Sequence, residues 1–402
     1  MKPYISLLRR EPLLRRLSMI QLIAYFGAWF SNVAIYTLLL QLGASALVVA
    51  VVAALHFLPG VLQAPFSGSL IDKIAPKRLM MILMTVEIFT TLPLMLIENM
   101  GQLWLLYLLI FFRMGASSFY FTLEMALLPR FLASAALKLA NELHSIIWSF
   151  SYTFGMAVSG IAVYYLGVKV AFLADALLFV AALLLLANAA FPIFEKRDTH
   201  HYLTLLRQSV SYLKENPQTR HLIFLHAVVG FTAFDGLVAL VADAYYVPAV
   251  AAPLAIGLTH AFRAIGLVCG PLIFGRWITA RRLPFLLLLQ AFAIFAWAAM
   301  LPHFYVSLAM SVLVGLFTTT LWSYTYTLLQ HHTEEAYYGR VIAYNDMFFL
   351  LTVSAVSFLI GLMAQWGISL QAVTAILGGA FVAGAFYFLW IAHRYELRPL
   401  SD

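Results

Sequence analysis

Among the ionisable side chains that interrupt long apolar stretches of this chain are Arg113, Glu124 and Asp235. A carboxylate held away from water can take up and release a proton, because burial disfavours its charged form and a nearby cation favours it. Arginine keeps its charge, so it can stabilise the deprotonated acid. The three residues are therefore candidates for proton coupling, with Arg113 and Arg263 as the cations expected to pair with Asp235.

Other polar and aromatic side chains recur in the apolar stretches at spacings of three or four residues, as in Arg113, Ser117, Tyr120 and Glu124. On a helix this spacing places them on one face. Polar faces within apolar helices line water-filled cavities or contact one another. The sequence therefore predicts a substrate cavity, whose candidate residues are Tyr25, Asn32, His56, Ser117, Tyr120, Trp148, Tyr152, His260, Arg263, Thr319, Ser323 and Tyr326.

The composition shows why these side chains have apolar surroundings. Hydrophobic residues make up 63% of the 402 residues and charged residues only 10%, against roughly 45–50% and about 25% in soluble domains. Crossing a bilayer takes roughly 20 apolar residues. Twelve such spans are predicted, at 17–41, 46–70, 78–98, 102–128, 142–166, 169–193, 220–247, 251–276, 283–301, 303–329, 338–364 and 369–392. The predicted fold class is an all-α membrane protein with twelve transmembrane helices.

The basic residues predict the orientation of these spans. Arg113 and Arg263 lie within spans, Lys169 falls at the start of the sixth span on one side, and all other Lys and Arg residues fall on the opposite side. The side rich in Lys and Arg is the cytoplasmic one. Both termini are therefore predicted to be cytoplasmic, in a multi-pass protein of the cell inner (plasma) membrane.

A charged turn between the second and third spans reads Gly68-Ser-Leu-Ile-Asp72-Lys73-Ile-Ala-Pro-Lys77-Arg78. A weaker copy after the eighth span reads Gly275-Arg-Trp-Ile-Thr279-Ala-Arg281-Arg282. The turn resembles the signature loop of the major facilitator superfamily, although Ala75 and Pro76 replace its usual Gly and Arg. The resemblance implies a gate that opens and closes with transport, formed here by Gly68, Asp72, Lys73, Lys77, Arg78, Gly275 and Arg340.

The two copies also imply two pseudo-symmetric six-helix halves. We expect an N-terminal half at 1–193, a cytoplasmic amphipathic linker at 194–219 and a C-terminal half at 220–402. In the superfamily the third helix of each group of three faces lipid. Two acids, Glu87 in the third span and Asp175 in the sixth, do not fit that plan, and the sequence assigns them no role.

Further segments narrow the resemblance to the drug:proton antiporters and the enterobactin-type siderophore exporters of the superfamily. These are Arg113-Met-Gly-Ala, Ala126-Leu-Leu-Pro129-Arg130 and Gly339-Arg340-Val341. The resemblance implies proton-coupled export of a small amphipathic molecule, such as a drug, siderophore or metabolite, by alternating access. Gly155-Met-Ala-Val-Ser-Gly160 lacks the proline of the family's antiporter motif, which leaves the direction of transport open.

Several alternatives remain at this stage. A lysophospholipid flippase or a metabolite uptake carrier is possible within transport, and an intramembrane enzyme or a receptor outside it. The expected partners are a small-molecule substrate, protons and the lipid bilayer, with no nucleic acid and a monomeric state. No cofactor or metal is expected. The single cysteine, Cys269, excludes an internal disulfide, and the lack of a phosphate-binding loop argues against an ATP-driven pump.

Overall fold

The computed structural model describes residues 2–192, 210–334 and 337–395, and the regular structure in these ranges is helical. Residues 194–209 of the predicted linker lie outside the described residues. The helices are α1 (Lys2–Arg10), α2 (Pro12–Gln41), α3 (Ala46–Leu55), α4 (Leu58–Lys73), α5 (Pro76–Thr91), α6 (Leu103–Leu127), α7 (Ser134–Leu166), α8 (Val168–Ala187), α9 (Pro217–Ala227), α10 (Asp235–Val241), α11 (Ala252–Phe274), α12 (Leu283–Met300), α13 (Phe304–His331), α14 (Tyr338–Gln365) and α15 (Leu370–Tyr395).

Within the described ranges, twelve helical segments are long and apolar enough to cross a membrane, which confirms the predicted fold class. The second segment, Ala46–Ser67, contains α3 and most of α4, and the seventh, Pro217–Tyr246, contains α9 and α10. The first begins earlier than predicted, at Pro12, because a proline at the first turn of a helix loses no hydrogen bond there.

Tight turns connect three pairs of successive spans. Gly43, Gly167 and Gly367 lie in these turns with φ of 70°, 83° and 82°. Only glycine adopts such left-handed backbone angles without strain. The turns let the adjoining helices begin within a few residues of one another.

The chain divides into two compact units, of which the first comprises Met1–Ala44 and Leu62–His200. In this unit α2 packs against α7 and α8, and α5 packs against α6 and α8. The α2–α7 approach depends on Gly155, where an added Cβ would lie 2.9 Å from the Cβ of Trp29. These contacts bring α2, α5, α6 and α8 around one core.

The second unit comprises Ser45–Val61 and His201–Asp402. Here α11 packs against α13, and α12 packs against α13 and α15. Gly266 and Gly315 allow the close α11–α13 approach, since a Cβ on either would overlap a backbone carbonyl of the other helix. Small residues at such crossings are typical of helix packing in membranes.

Residues 45–61, which the sequence analysis places in the N-terminal half, belong to this second unit because α3 packs against α14. The side chain of Ser354 donates a hydrogen bond to the carbonyl of Ala54 at 3.1 Å. A Cβ at Gly361 would overlap the Cβ of Ala50. The second predicted span is therefore divided between the units.

Candidate functional site

A buried ion cluster surrounds Arg113 in the first unit. Its Nη2 lies 2.8 Å from Oδ2 of Asp175, and its Nε lies 3.5 Å from Oε2 of Glu87. Nε also donates to the hydroxyl of Thr91 at 3.0 Å. The hydroxyl of Ser31 donates to the same Asp175 oxygen. The cluster therefore joins α2, α5, α6 and α8.

The three charged side chains are almost fully excluded from solvent, with exposures of 2% for Arg113, 3% for Glu87 and 0% for Asp175. Burying a charge is costly unless an opposite charge compensates it. Two carboxylates and one guanidinium leave one surplus negative charge when all three are ionised. The cluster thus explains both acids that had no role in the sequence analysis.

The position of Asp175 depends on a glycine in α2. A Cβ at Gly27 would lie 2.5 Å from Oδ1 of Asp175. No described residue donates a hydrogen bond to this oxygen or to Oε2 of Glu87. Each carboxylate therefore keeps one acceptor oxygen that no hydrogen bond satisfies.

A second buried acid, Glu124, lies further along α6. Eleven residues separate it from Arg113, about 16 Å along a helix. The Tyr25 hydroxyl lies 3.4 Å from Oε2 of Glu124, and Nδ1 of His144 lies 3.9 Å from the same atom. The structure thus brings two predicted site residues, Tyr25 and Glu124, together with His144, which was not a predicted site residue.

A small cavity lies between Glu87 and Tyr25. Its volume is about 10 Å³, close to what one water molecule needs. It is lined by Ala24, Tyr25, Ala28, Leu83, Met84, Glu87, Ser117, Tyr120 and Phe179. Three predicted cavity residues, Tyr25, Ser117 and Tyr120, therefore face this internal cavity of the first unit.

Each unit contains a stacked pair of aromatic side chains one helical turn apart. In the first unit Trp148 stacks on Tyr152 with centroids 5.5 Å apart, and Trp29 meets both rings edge-on. In the second unit Trp322 stacks on Tyr326 at 5.0 Å. The Trp-x-x-x-Tyr spacing in both segments was the signal in the sequence for these pairs.

Asp235 is the first residue of α10, after a break in the seventh span. Its side chain is 14% exposed, and Nδ1 of His260 lies 3.8 Å from its Oδ1. Arg263 donates from Nη2 to the carbonyl of Thr232 at 2.9 Å, and its guanidinium lies 5.0 Å from the ring centroid of Phe234. Arg263 thus satisfies a carbonyl at the helix break, and Arg113 is paired with Asp175 and Glu87, so each cation expected beside Asp235 has other partners.

The remaining cavity candidates are dispersed. Nδ1 of His56 lies 2.8 Å from the carbonyl of Val52 at the end of α3. Asn32 is buried, Thr319 is half-buried and Ser323 is exposed. Among the described residues, no group of His, Cys, Asp and Glu could hold a metal ion.

The predicted gate residues lie at helix ends. Lys77 donates from Nζ to the carbonyls of Ala187 and Ala189, at 2.7 and 2.9 Å. Lys73 and Arg78 are exposed, and Gly275 directly follows α11. The guanidinium of Arg340 lies 4.8 Å from the ring centroid of Tyr337. Residues Gly68 and Asp72 lie in α4, and the side chain of Asp72 is outside the described part of the structure.

Comparison with known proteins gives the family. The sequence profile of the Major Facilitator Superfamily matches residues 17–250. The chain belongs to this superfamily. Membership makes it a membrane transporter rather than an enzyme. No curated protein matches the chain.

Solved transporters share the superfamily fold. A variant of the nucleoside transporter NupG has a TM-score of 0.75 at 14% identity, over 94% of this chain and 99% of that one. A D-xylose–proton symporter has a TM-score of 0.72 at 11% identity, over 93% and 96%. A bacterial homologue of the human lysosomal transporter Spinster has a TM-score of 0.71 at 14% identity, over 98% and 97%. Identities this low support the fold alone.

Proposed function

We propose that this superfamily member is a proton-coupled secondary transporter that exports a small amphipathic molecule, such as a drug, siderophore or metabolite, by alternating access. One observation supports the proposal of proton coupling: Arg113 and two carboxylates form a cluster that is almost fully excluded from solvent. A surplus buried acid is costly and marks a functional site in membrane proteins. Of the coupling candidates from the sequence, Arg113 lies in this cluster and Glu124 lies further along the same helix, and Asp235 in the second unit is the alternative coupling site.

The aromatic side chains support an amphipathic substrate. Trp148 and Trp322 are 36% and 40% exposed, although each stacks on a tyrosine. A partly exposed aromatic ring can stack on a planar apolar group and attract a cation through its face. The proposed substrate site comprises the cavity candidates named from the sequence, and the proposed gate comprises the charged turns.

Uptake is the second candidate. The D-xylose–proton symporter is a proton-driven sugar transporter by name, and it shares this fold. A lysophospholipid flippase remains a further alternative from the sequence. We also propose a monomer in the cell inner membrane with cytoplasmic termini.

The experiment uses inverted membrane vesicles that contain the full chain, with ethidium as an amphipathic cationic probe. An acidic vesicle lumen should drive ethidium into the vesicles, and a protonophore should abolish the accumulation. Vesicles without the protein and the exposed-site variant Glu98→Gln serve as controls. A fluorescent lysophospholipid and labelled D-xylose are assayed in parallel. Accumulation of none of these probes under the proton gradient would overturn coupled export.

A further inference from the structure

The first unit holds two carboxylates against a single guanidinium, and this imbalance has a chemical consequence. We propose that the Glu87–Asp175 pair, held by Arg113, is the proton-binding centre of this transporter, and that the cavity beside Glu87 connects it to Glu124. The inference deepens the proposed function and rests on it for the use of the proton. The evidence for the proton-binding site itself is the geometry of the first unit.

The surplus charge is removed when one carboxylate binds a proton. Asp175 accepts from Arg113 and Ser31 through Oδ2, so its charged form is well stabilised. Glu87 has the longer 3.5 Å approach of Arg113 and a hydrogen bond with the uncharged side chain of Ser117, so its charged form is less well stabilised. Hydrogen bonds and close cations favour the charged form of an acid. The proton therefore resides on Glu87, and Asp175 remains the partner of Arg113.

The cavity supplies a route for that proton. Ser117 and Tyr120 line it beside Glu87, and Tyr25 lines it on the side of Glu124. The buried hydroxyl of Tyr120 has no hydrogen-bond partner among the described residues. One water in the cavity would complete the connection between the two acids. The protonated carboxyl of Glu124 gives its proton to the hydroxyl of Tyr25, which gives one to this water, and the water gives one to the Glu87 carboxylate; the tyrosine and the water are regenerated and Glu124 becomes the carboxylate.

The groups that face this route come from every helix packed around it. They are Tyr25 and Ser31 on α2, Glu87 and Thr91 on α5, Arg113, Ser117, Tyr120 and Glu124 on α6, His144 on α7 and Asp175 on α8. Arg113 is the permanent cation among them. Its single charge compensates one of the two acids at the centre.

Infrared difference spectroscopy on the full-length protein in lipid nanodiscs tests the centre without any substrate. Between alkaline and acidic pH the wild type should show the carbonyl band of a protonated carboxyl group in a dry environment. Glu87→Gln should remove the part of this band that is still present in Glu124→Gln, the variant that lacks the other buried acid of the route. Asp175→Asn should remove it too, because Glu87 is then balanced by Arg113. The band should persist in Asp235→Asn and in the exposed-site control Glu98→Gln.

A band unchanged in both Glu87→Gln and Asp175→Asn would overturn the inference, and so would its loss in Asp235→Asn alone. Each variant is first checked for a monodisperse elution profile and a wild-type melting temperature. The proton route is tested by the rate at which the carbonyl band appears after a pH jump. Tyr120→Phe should slow it about tenfold without changing its amplitude, because one hydrogen-bonded link is lost. An unchanged rate in both Tyr120→Phe and Ser117→Ala would exclude the cavity as the route.

The spectroscopic and vesicle experiments can fail separately. If the band responds as expected but no probe is accumulated, coupled export is wrong and the proton centre stands. If the probe accumulates normally but the band is unchanged in Glu87→Gln and Asp175→Asn, coupled export stands and the proton-binding centre lies elsewhere.

Discussion

Nη2 of Arg113 lies 2.8 Å from Oδ2 of Asp175, which joins a guanidinium on α6 to a carboxylate on α8. Both side chains are buried. A buried ion pair contributes little net stability relative to apolar packing, but removal of one partner leaves an uncompensated charge. The pair therefore makes the stability of the first unit depend on charge balance.

Replacing Arg113 tests this dependence. Arg113→Met should lower the free energy of unfolding by about 3–5 kcal/mol, because the charge of Asp175 remains buried without its cation. Asp175→Asn in the Arg113→Met background should recover part of the loss. Denaturant unfolding of the purified single and double variants measures both effects. If the double variant is no more stable than Arg113→Met, charge balance is not what Arg113 provides.

The α11–α13 crossing gives a packing prediction. Gly266→Ala should destabilise the protein by about 1–3 kcal/mol, the range for overpacking, because the new Cβ overlaps the carbonyl of Val312. Gly379→Ala is the matched control, since no atom lies within 4 Å of its added Cβ. Melting temperatures of the two variants should differ clearly. Equal values would show that the crossing relaxes freely.

Neutral substitutions distinguish which of the buried acids carries the coupling proton. Glu87→Gln and Glu124→Gln should retain exchange of ethidium across the membrane but lose accumulation under a proton gradient, because neither variant acid can cycle a proton. Asp235→Asn decides the prediction from sequence that Asp235 carries the proton. With the proton on Glu87, the Asp235→Asn variant should still accumulate the probe. If only Asp235→Asn loses accumulation of the probe, the coupling site lies in the second unit.

The gate prediction concerns Asp72. Asp72→Asn should slow or stop transport at near-normal abundance, because the residue matches the acid of the superfamily's signature loop. Vesicle transport normalised to protein amount measures the effect, with Lys169→Gln as a control on the opposite predicted side. Turnover at the wild-type rate in Asp72→Asn would remove this role.

The orientation is tested by labelling. With Cys269→Ser as background, single cysteines introduced at His200 and Leu400 should react with an impermeant thiol reagent only in inverted vesicles. A cysteine at Lys169 should react only in right-side-out cells. Labelling of position 200 or 400 from outside would contradict the predicted cytoplasmic linker and terminus.

The helices were largely predictable because apolar length determines a membrane span locally. The buried acids could be found for the same reason, since Glu87 and Asp175 interrupt apolar runs. Their pairing with Arg113 could not, because it depends on how α5, α6 and α8 approach one another. Gly27 illustrates the limit: in the sequence it is one glycine of a span, and in the fold it makes room for Asp175.

Arg263 and Asp235 show the converse. Arg263 was one of the two cations expected beside Asp235, because it lies on the next span. The break before α10 exposes the carbonyl of Thr232, and Arg263 binds it instead. Helix breaks of this kind depend on tertiary packing, so the residues that satisfy them are not evident from spacing.

The packing of α3 against α14 has a consequence for biosynthesis. The hydrogen bond from Ser354 to Ala54 joins residues 300 positions apart. At roughly 5–20 residues per second, the ribosome needs about 15–60 s to synthesise that interval. During this time α3 is already made while its partner helix does not yet exist. A nascent chain stalled before α14 therefore leaves the small-residue face of α3 open to lipid or to the insertion machinery. The second span reaches its final packing only after nearly the last helix has been synthesised.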